Sequence, residues 1–462
     1  MNRWIEKIYY SSPVLVQNVA VSGYGFYLHR TRYGGGARQY FRELLESQRY
    51  SEAELRELQR GCLRNLVLHA VETVPYYRDL FSRNRLVPGD IRDLCDLGKI
   101  PILEKETVRS EAGRFLSDGV SGRILRLHTS GTTGSPLTIL CDVESRRRHY
   151  AFLSRFRQWF GVSLGMPRAT LCGRIVVSPG RENPPFWRYD ASEKNYLFSS
   201  YHLSKKNLSH YSSALQRIEP EEICGYPSSV YAVGRHARDV NGGLPRPRLI
   251  VTTAETLLAF QRETIERAFS CPVTDQYGCT EMALFISQCE HGSYHVHPEY
   301  GIVEVLDERD RPVAPGEEGE VVCTGFVNRA MPLIRYRIGD RVVMGGESCR
   351  CGRSFPVIQK IEGRTDDILV TPDGRRIGRM DPIFKGLGEI VETQIVQTDR
   401  DTLTFRIVKG EGFREAHENT LHEEIRKRVG REMKILFQYV PEIERDRNGK
   451  FRSVVSLLKG SG

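Results

Sequence analysis

The middle of the chain alternates between short apolar runs and helical segments, and this alternation constrains the fold more than any other feature of the sequence. The runs ICGYP, LIVTT and CPVTDQYG read as buried strands, and 258–269 reads as one of the intervening helices. This order predicts a parallel sheet covered by helices on both faces. Polar clusters end three of the strands, at 226–229, 252–255 and 277–281. Because ligands of such sheets bind beyond the carboxyl ends of the strands, we expect these clusters to line one crevice.

A loop rich in glycine and hydroxyl residues, TSGTTGSP at 129–136, stands between two further strand-like runs, LRLH and LTIL. Glycines let the backbone approach a bulky anion, and the hydroxyl groups add donors to the backbone N–H groups, so the loop predicts polyphosphate binding. It is not a Walker A site, because that motif needs a lysine followed by Ser or Thr at the start of a helix. A hairpin turn rich in Ser and Thr is the alternative interpretation.

Composition and charge narrow the class of protein. The 462 residues have an ordinary composition for a folded chain with a large core and an appended module. The 67 Lys and Arg against 58 Asp and Glu give a formal net charge of +9, which suits an anionic ligand. The basic residues are dispersed and no nucleic-acid-binding motif accompanies them, so we expect no nucleic-acid partner.

Cysteine usage and hydropathy bear on location. The eleven cysteines are an odd count, and the first residues show no secretory signal pattern, so we expect reduced thiols and a cytoplasmic location. No apolar run reaches the length that crosses a bilayer. We interpret the most apolar segment, 13–27, as a helix and turn docked on the core, with weak peripheral membrane contact as the alternative.

The predicted secondary structure changes character twice along the chain. The first 100 or so residues read as a leader of packed helices, and short strands with tight turns after residue 298 predict antiparallel β structure. Past 363–367 the strands restart around one amphipathic helix. We therefore expect an α/β fold: a large N-terminal domain at 1–364, with mixed and parallel sheets flanked by helices plus a β-rich subdomain, and a small mobile α+β domain at 365–462.

Five spaced segments together resemble the signatures of adenylate-forming enzymes. They are TSGTTGSP at 129–136, YGCTE at 277–281, RYRIGD at 335–340, GRTDD at 363–367 and RDRNGKFRS at 445–453. Within that superfamily the chain most resembles the phenylacetate-CoA ligase branch, especially its homologues linked to capsular and other surface-polysaccharide biosynthesis. Leu137 stands where many members of the superfamily have a lysine, but this branch commonly lacks that lysine too.

The resemblance implies an ATP-dependent ligase that forms an acyl-AMP and passes the acyl group to a thiol, with coenzyme A as the co-substrate. The carboxylate attacks the α-phosphate while pyrophosphate leaves, so cations and hydrogen-bond donors must neutralise the phosphates. By this resemblance Lys450, Glu281 and Arg364 are catalytic, and Glu281 holds Mg²⁺. The implied ATP and AMP contacts are Thr129, Ser130, Gly131, Thr132, Thr133, Gly134, Ala254, Glu255, Tyr277, Gly278, Thr280 and Asp340.

The resemblance also implies that the small domain rotates about Asp366, so that Lys450 leaves the site before the thiol enters. Asn448 and Gly449 are a strong pair for a two-residue turn. We therefore expect Lys450 beside the tip of a hairpin, between a strand that ends near Pro441 and the run FRSVVSLL.

The sequence does not identify the carboxylate or the oligomeric state. Tyr226, Pro227 and Ser228 suggest one wall of an acyl or aryl pocket. One alternative function is an adenylate-forming amide ligase that acts on an amine of a sugar or amino acid in surface-polysaccharide biosynthesis. An alternative from another class is a nucleotide-binding assembly protein that has lost its chemistry.

A second group of residues has the composition of a metal site. Cys349 and Cys351 form a CxC pair, and Cys289 precedes three candidate histidines, namely His291, His295 and His297. Three thiolates and one imidazole would make a closed tetrahedral zinc site, which is structural and not catalytic. Members of the resembled branch have a histidine six residues after the first cysteine, which points to His295. The alternative is four residues near two turns that bind no metal.

Overall fold

The computed structural model describes residues 3–120, 122–129, 137–178, 180–240, 242–346, 348–364, 369–372, 376–377, 380, 383, 387, 389–446 and 449–458. The α-helices within these residues are α1 Arg3–Ser11, α2 Val14–Tyr33, α3 Ala37–Ser47, α4 Glu52–Thr73, α5 Pro75–Arg83, α6 Lys105–Ser110, α7 Val143–Gln158, α8 Leu208–Ile218, α9 Pro227–Asp239, α10 Ala259–Phe269 and α11 Glu415–Val429.

The strands in the described part of the chain form four sheets. A hairpin consists of β1 Ile124–His128 and β2 Thr138–Asp142. The large sheet contains β3 Arg168–Cys172, β4 Trp187–Asp190, β5 Asn195–Ser199, β6 Glu222–Gly225, β7 Leu249–Thr253, β8 Val273–Gly278, β9 Phe285–Gln288, β10 Tyr294–Val296, β11 Gly301–Leu306, β12 Glu318–Gly325, β13 Tyr336–Met344 and β14 Val357–Arg364. A two-stranded sheet contains β15 Leu369–Val370 and β16 Arg376–Ile377. A four-stranded sheet contains β17 Ile390–Gln397, β18 Thr402–Lys409, β19 Lys434–Tyr439 and β20 Val454–Ser456.

The large sheet confirms the predicted α/β class. Its twelve strands run in the order β11-β12-β13-β14-β10-β9-β8-β7-β6-β3-β5-β4. The central strands β5, β3, β6, β7 and β8 are parallel, and the strands on both flanks are antiparallel. The sequence predicts a β-rich subdomain after residue 298. Those strands are antiparallel as predicted, but they hydrogen-bond into the same sheet and extend it.

Local sequence signals explain where the main helices begin. Ser51 caps α4 in a reciprocal capping box with Glu54, and the Asp142 side chain caps α7 by accepting from Ser145 N at 2.6 Å. Pro227 occupies the first position of α9, where its missing N–H costs nothing. The polar cluster expected after β6 is therefore the first turn of this helix.

Helix α2 corrects the interpretation of 13–27 as a core-docking segment, because its polar side faces the protein. Gln17 is 1% exposed and accepts from Arg188 Nε, whereas Leu15 and Val19 are 75% and 67% exposed. At Gly25 a Cβ would lie 2.3 Å from the Asp190 carboxylate, so only glycine permits this close approach to β4. The apolar side of the helix is left uncovered.

The exposed apolar side continues onto α1, and we call this surface the α1–α2 stripe. Its large hydrophobic members are Trp4, Ile5, Ile8, Leu15, Val16, Val19, Tyr24, Phe26 and Tyr27. No helix in the described part of the chain has both the length and the hydropathy needed to cross a membrane.

The small sheet near the end of the chain corrects the expected hairpin at Lys450. Its order is β19-β18-β17-β20, with β20 parallel to β17 and β19 parallel to β18. The strands before and after Lys450 therefore lie at opposite edges of the sheet, and the lysine belongs to the connection that crosses between them. Helix α11 is the amphipathic helix predicted for this part of the chain, and it packs on the sheet through Leu421, Ile425 and Val429, which recur at helical spacing.

Candidate active site and metal centre

The glycine-rich loop joins the two strands of the β1–β2 hairpin, as the sequence predicts. Thr129 N donates to Leu137 O at 3.0 Å, and Thr129 Oγ1 accepts from Leu137 N at 2.9 Å. These two bonds hold the ends of the loop together. The predicted phosphate contacts Ser130, Gly131, Thr132, Thr133 and Gly134 lie outside the described residues.

Tyr277 and Asp340, predicted to contact the adenine and the ribose, meet in the structure. Tyr277, near the end of β8, donates its hydroxyl hydrogen bond to Asp340 Oδ2 on β13. Burial, followed by the charge of Asp340, raises the pKa of this phenol well above its ordinary value. Arg364 is the cross-strand partner of Asp340 on β14, and its side chain lies outside the described atoms. Two distant signature segments therefore converge.

Glu281 lies three residues beyond β8 and is buried. Tyr336 donates its hydroxyl hydrogen bond to Glu281 Oε1 at 3.1 Å, and Lys105 Nζ lies 4.0 Å from the same oxygen. Within the described residues no hydrogen bond reaches Oε2. A buried carboxylate with one unengaged oxygen has the donor chemistry that Mg²⁺ prefers. Gly278 and Thr280 belong to the same segment between β8 and Glu281.

Glu255 joins the carboxyl end of β7 to two other segments. Its carboxylate accepts from Ser228 N and Ser228 Oγ, each at 3.1 Å, and from Phe451 N at 2.6 Å. Burial raises the pKa of this carboxyl to about 7, although these hydrogen bonds act to lower it. The preceding Ala254 has a φ of +67°, a left-handed conformation that non-glycine residues seldom adopt outside turns and functional sites.

The segment around Lys450 packs against the carboxyl end of β3. Gly449 has a φ of +71°, and a Cβ there would lie 2.6 Å from Ser200 Oγ and 3.2 Å from Gly173 Cα, so the contact requires glycine. Lys450 N donates to Asp446 Oδ1 at 2.9 Å. Lys450 therefore lies at the boundary between the two sheets, in the crevice that also contains Glu255. The predicted hinge, Asp366, lies outside the described residues.

The described residues enclose two cavities of notable size. One of about 460 Å³ is enclosed by α3, α4 and the residues that follow β12, and no predicted site residue lines it. A second, of about 200 Å³, lies under α2 and α7 and reaches Thr253 and Gln276, the immediate neighbours of Ala254 and Tyr277.

The residues predicted to form one wall of the acyl or aryl pocket do not line this second cavity. Tyr226, Pro227 and Ser228 form the start of α9, where Ser228 binds Glu255. None of the three is among the described residues that line the cavity.

The four predicted zinc ligands come together at the other end of β14. The ligand atoms of Cys289, His295, Cys349 and Cys351 all lie within 4.8 Å of one another. Cys289 Sγ lies 3.5 Å from Cys349 Sγ, and Cys351 Sγ lies 3.3 Å from His295 Nε2. These separations exceed a disulfide bond of about 2.05 Å. They are close to the ~3.8 Å that tetrahedral Zn–S bonds of about 2.3 Å imply.

The structure also selects among the three histidines. His295 Nδ1 lies 3.3 Å from Phe355 O, which leaves Nε2 to face the thiols, as the second contact of a zinc-bound histidine does. His297 is instead enclosed between Arg155 Nη2 at 2.6 Å and Ser287 Oγ at 2.8 Å, and His291 is exposed. The donor set therefore fits a structural zinc ion held by His295 and the three cysteines.

Comparisons with known proteins agree with these motifs. Residues 369–457 match the family model of the CapK C-terminal domain. The whole chain resembles protein CapK of Staphylococcus aureus, with 26% identity over 461 residues that cover 98% of this chain and 100% of that protein. The phenylacetate-coenzyme A ligase of Thermus thermophilus is 26% identical over 442 residues, covering 88% and 97% of the two chains. The chain is a homologue of CapK and of the phenylacetate-coenzyme A ligases.

Solved structures show that this branch shares the fold of the acyl-CoA ligases. The TM-score is 0.71 against 2-hydroxyisobutyryl-CoA ligase in the postadenylation state in complex with R3-HIB-AMP, at 18% identity, with 88% of this chain and 90% of that chain covered. Against the same ligase with 2-HIB-AMP and CoA in the thioesterification state it is 0.58, at 21% identity, with 88% and 91% covered. Since coverage is nearly equal, the arrangement of this chain is closer to the postadenylation structure.

Sequence reasoning missed several residues that the structure brings to the site. Tyr336 lies within the signature RYRIGD, and its contact with Glu281 had no separate sequence signal. Arg168, Thr170 and Cys172 alternate with Ala169 and Leu171 along β3, and this period of two in a buried strand could have indicated a polar wall.

Proposed function

We propose that this chain is an AMP-forming ligase that activates a carboxylate with ATP and transfers the acyl group to the thiol of coenzyme A. The convergence of separate signature segments around the ends of β7 and β8 supports this proposal most strongly. The residues that meet there are Glu255, Tyr277, Glu281, Asp340 and Lys450. The homology to phenylacetate-coenzyme A ligases supports the same chemistry, and the use of ATP and coenzyme A favours a cytoplasmic location.

In the proposed first step a carboxylate oxygen bonds to the α-phosphorus, and the bond to the bridging oxygen breaks as pyrophosphate leaves. Lys450 would place its ammonium group beside the charge that develops there, and Glu281 would hold Mg²⁺ to neutralise the departing phosphates. Asp340 would accept hydrogen bonds from the ribose hydroxyls. Tyr277 would lie against the adenine and hold the Asp340 carboxylate in place through its hydroxyl hydrogen bond. Arg364, opposite Asp340 in the strand register, would contact the ribose or the phosphates.

In the proposed second step the thiol attacks the acyl carbon and AMP leaves. The connection that carries Lys450 packs on the carboxyl end of β3, so it would have to withdraw to admit a thiol. We place the domain boundary between 364 and 365, and the rotation that withdraws the lysine at Asp366. A few residues of a connection can absorb such a change in φ and ψ. The four-residue cluster at Cys289 would hold zinc as a structural ion only.

Isotope exchange between pyrophosphate and ATP tests the first step. With a panel of aryl, aliphatic and sugar-derived acids, we expect exchange that depends on one class of acid and is lost in Asp340→Asn. Addition of coenzyme A should then release AMP and form a thioester. Discharge by an amine but not by coenzyme A would instead indicate an amide ligase. Absence of exchange with every acid would favour a nucleotide-binding protein without chemistry.

A further inference from the structure

The sheet has one polar face beneath α2 and α7, although helices cover it. Along β3, Ala169 and Leu171 join the apolar core on the side of α8 to α10. Arg168, Thr170 and Cys172 line the cavity on the opposite side. Central parallel strands that are covered on both faces usually read as continuous apolar runs, because burying charge is costly. Packing alone therefore does not explain why polar and charged side chains occupy this covered face of the sheet.

The cavity on this face is compact and reaches the proposed nucleotide site. Its volume of about 200 Å³ is below the ~300–1,000 Å³ of typical ligand pockets, so it suits a small acid and not a fatty acyl chain. Thr253 and Gln276 line its inner end, and Thr253 Oγ1 donates to Gln276 Oε1 at 3.1 Å. These residues directly precede Ala254 and Tyr277. An acid in the cavity could therefore present its reacting carboxylate at the carboxyl ends of β7 and β8.

The charged residues that line the cavity do not balance. They are Arg32, Arg157, Arg168 and Arg174, against Glu193 and Glu222. Four positive and two negative side chains leave a formal charge of +2. Arg174 is exposed at the edge of the cavity, so the enclosed side chains are three arginines against two glutamates. Since Lys and Arg charges inside proteins are normally paired, this positive excess favours an anionic occupant.

Both carboxylates already take part in ion pairs with the arginines. Arg157 Nε lies 2.9 Å from Glu222 Oε1, and Arg168 Nη2 binds Glu193 Oε2. Arg32 approaches only the other oxygen of Glu193, at 3.7 Å. Within the described residues Arg174 forms no ion pair. Arg32 therefore shares with Arg168 the single carboxylate of Glu193, and Arg174 has no carboxylate partner among the described residues.

Several buried atoms of these side chains lack a hydrogen-bond partner within the described structure. They are Arg32 Nε, Arg157 Nη1, Arg168 Nε and Glu193 Oε1. Each buried donor left unsatisfied costs on the order of 1–3 kcal/mol. Three of these atoms are guanidinium nitrogens of residues that line the one cavity, and a carboxylate binds arginine through paired hydrogen bonds.

The same positive charge affects the pKa of Tyr150, which also lines the cavity. Burial alone would raise the pKa of its phenol, but nearby cations outweigh that effect and lower the pKa below its ordinary value. The cations are Arg32, Arg146 and Arg174. Arg32 lies over the Tyr150 ring with its Cζ 4.5 Å from the ring centroid.

We propose that the cavity under α2 and α7 binds the body of the activated acid and recognises a second carboxylate on it, so that the substrate is a short dicarboxylic acid. This inference rests on the proposed function, because it takes the cavity as the acyl site. Arg32 and Arg174 are the residues that determine this specificity. An analogue that lacks the matching oxygens would leave the buried donors of Arg32, Arg157 and Arg168 unpaired, so the site should reject it.

Equilibrium binding by calorimetry, which needs no turnover, tests the inference on the full chain. The probes are malonate, succinate, glutarate and adipate, each paired with the monocarboxylate of the same carbon number. We expect at least one diacid to bind at least about tenfold more tightly than its partner. Arg32→Gln should remove most of that preference. Arg30→Gln, on the exposed side of the same helix, is the matched control and should keep it.

Arg174→Gln, at an exposed position beside the cavity, provides a second variant should Arg32→Gln fold poorly, and it should also reduce the preference. Equal binding of diacids and monoacids, no binding of any diacid, or a preference that survives both variants would overturn the inference. Pyrophosphate exchange with the same acids distinguishes the two proposals. Diacid binding without exchange would contradict the ligase function alone, and exchange with monoacids at equal rates would contradict the diacid specificity alone.

Discussion

The ammonium group of Lys450 acts in only the first of the two proposed half-reactions. Lys450 lies in a connection that packs on the carboxyl end of β3, and removing one preorganised charge from a developing transition state costs about 10²–10³ in rate. We expect Lys450→Ala to slow acyl-AMP formation by at least that factor while consumption of supplied acyl-AMP stays nearly intact. Single-turnover assays of each half-reaction measure the two rates.

Lys434→Ala supplies the control for this prediction, because Lys434 is exposed at the start of β19 in the same small sheet. It should leave both half-reactions unchanged. An equal loss of both rates in Lys450→Ala, or no loss of the first, would show that Lys450 does not act in adenylation.

Glu255 should make stability depend on pH in an unusual direction. Burial raises the pKa of this carboxyl in the folded chain from 4.5 to about 7. Between these values the folded state holds a proton that the unfolded state has lost, so stability falls as pH rises. The cost is absent below about pH 4.5 and complete above about pH 7, with a size on the order of 1–3 kcal/mol. Glu255→Gln should flatten this slope in denaturant unfolding at a series of pH values.

The exposed Glu308 offers the comparison for Glu255. Glu308→Gln should leave the slope of the wild-type chain in place. A slope that is unchanged in Glu255→Gln would mean that the carboxyl titrates at an ordinary pH in the folded chain.

At the scale of residues, the spaced motifs predicted which side chains belong to the nucleotide site. The sequence did not predict the contacts that depend on tertiary packing. Tyr277 and Asp340 were both predicted to contact the nucleotide, and they meet in the structure. Their hydrogen bond could not be predicted, because it depends on the twist and register of strands sixty residues apart in sequence. Arg32 and Arg168 escaped notice because each is an ordinary surface arginine until α2 and β3 enclose the same cavity.

Among the elements, β14 ends at Arg364, and the predicted zinc cluster lies near its start, on β10, on the β9–β10 turn and on the loop before β14. A zinc ion would tie the β9–β10 turn to the loop before β14. We expect the purified protein to contain about one zinc per chain, and Cys351→Ser to lose it and to unfold at a lower temperature. Metal analysis and thermal unfolding measure the two effects.

Cys95→Ser is the matched control, since Cys95 is an exposed free cysteine outside the cluster. It should retain both the metal and the unfolding temperature. Protein purified under reducing conditions that contains no zinc would contradict the predicted site.

Elements were predicted best where a local signal specifies them. The capping residues of α4 and α7 and the apolar spacing of α11 are each contained within a single helix, so a short stretch of sequence specifies them. The hairpin expected at Lys450 is wrong because a turn pair such as Asn-Gly indicates a reversal but not which strands become neighbours. That choice depends on the position of β17 between β18 and β20.

At the scale of the molecule, the α1–α2 stripe is the largest departure from the expected burial. Its aromatic and aliphatic side chains face outward, with the exposed cations Lys7 and Arg30 on the same helices. Surface helices that expose aromatic and aliphatic side chains beside Lys and Arg bind at the interface of anionic bilayers. We expect the protein to co-sediment with vesicles that contain phosphatidylserine, and Leu15→Gln with Val19→Gln to reduce the bound fraction several-fold.

Leu68→Gln tests whether any exposed leucine has this effect, because Leu68 is exposed on α4, away from the stripe. It should bind vesicles like the wild type. Failure to bind vesicles, together with a dimer that the double variant dissociates, would assign the stripe to a second copy of the chain.

The twelve-stranded sheet has a consequence for how the chain melts. Because β3 to β14 share one hydrogen-bonded network, the βαβ strands and the later antiparallel strands should lose structure together. The four-stranded sheet shares no strand with it and touches it through contacts such as Arg235 Nη1 to Ile390 O at 2.8 Å and Phe451 N to Glu255. Scanning calorimetry should therefore resolve two heat-absorption peaks, and a ligand that bridges the crevice should merge them into one.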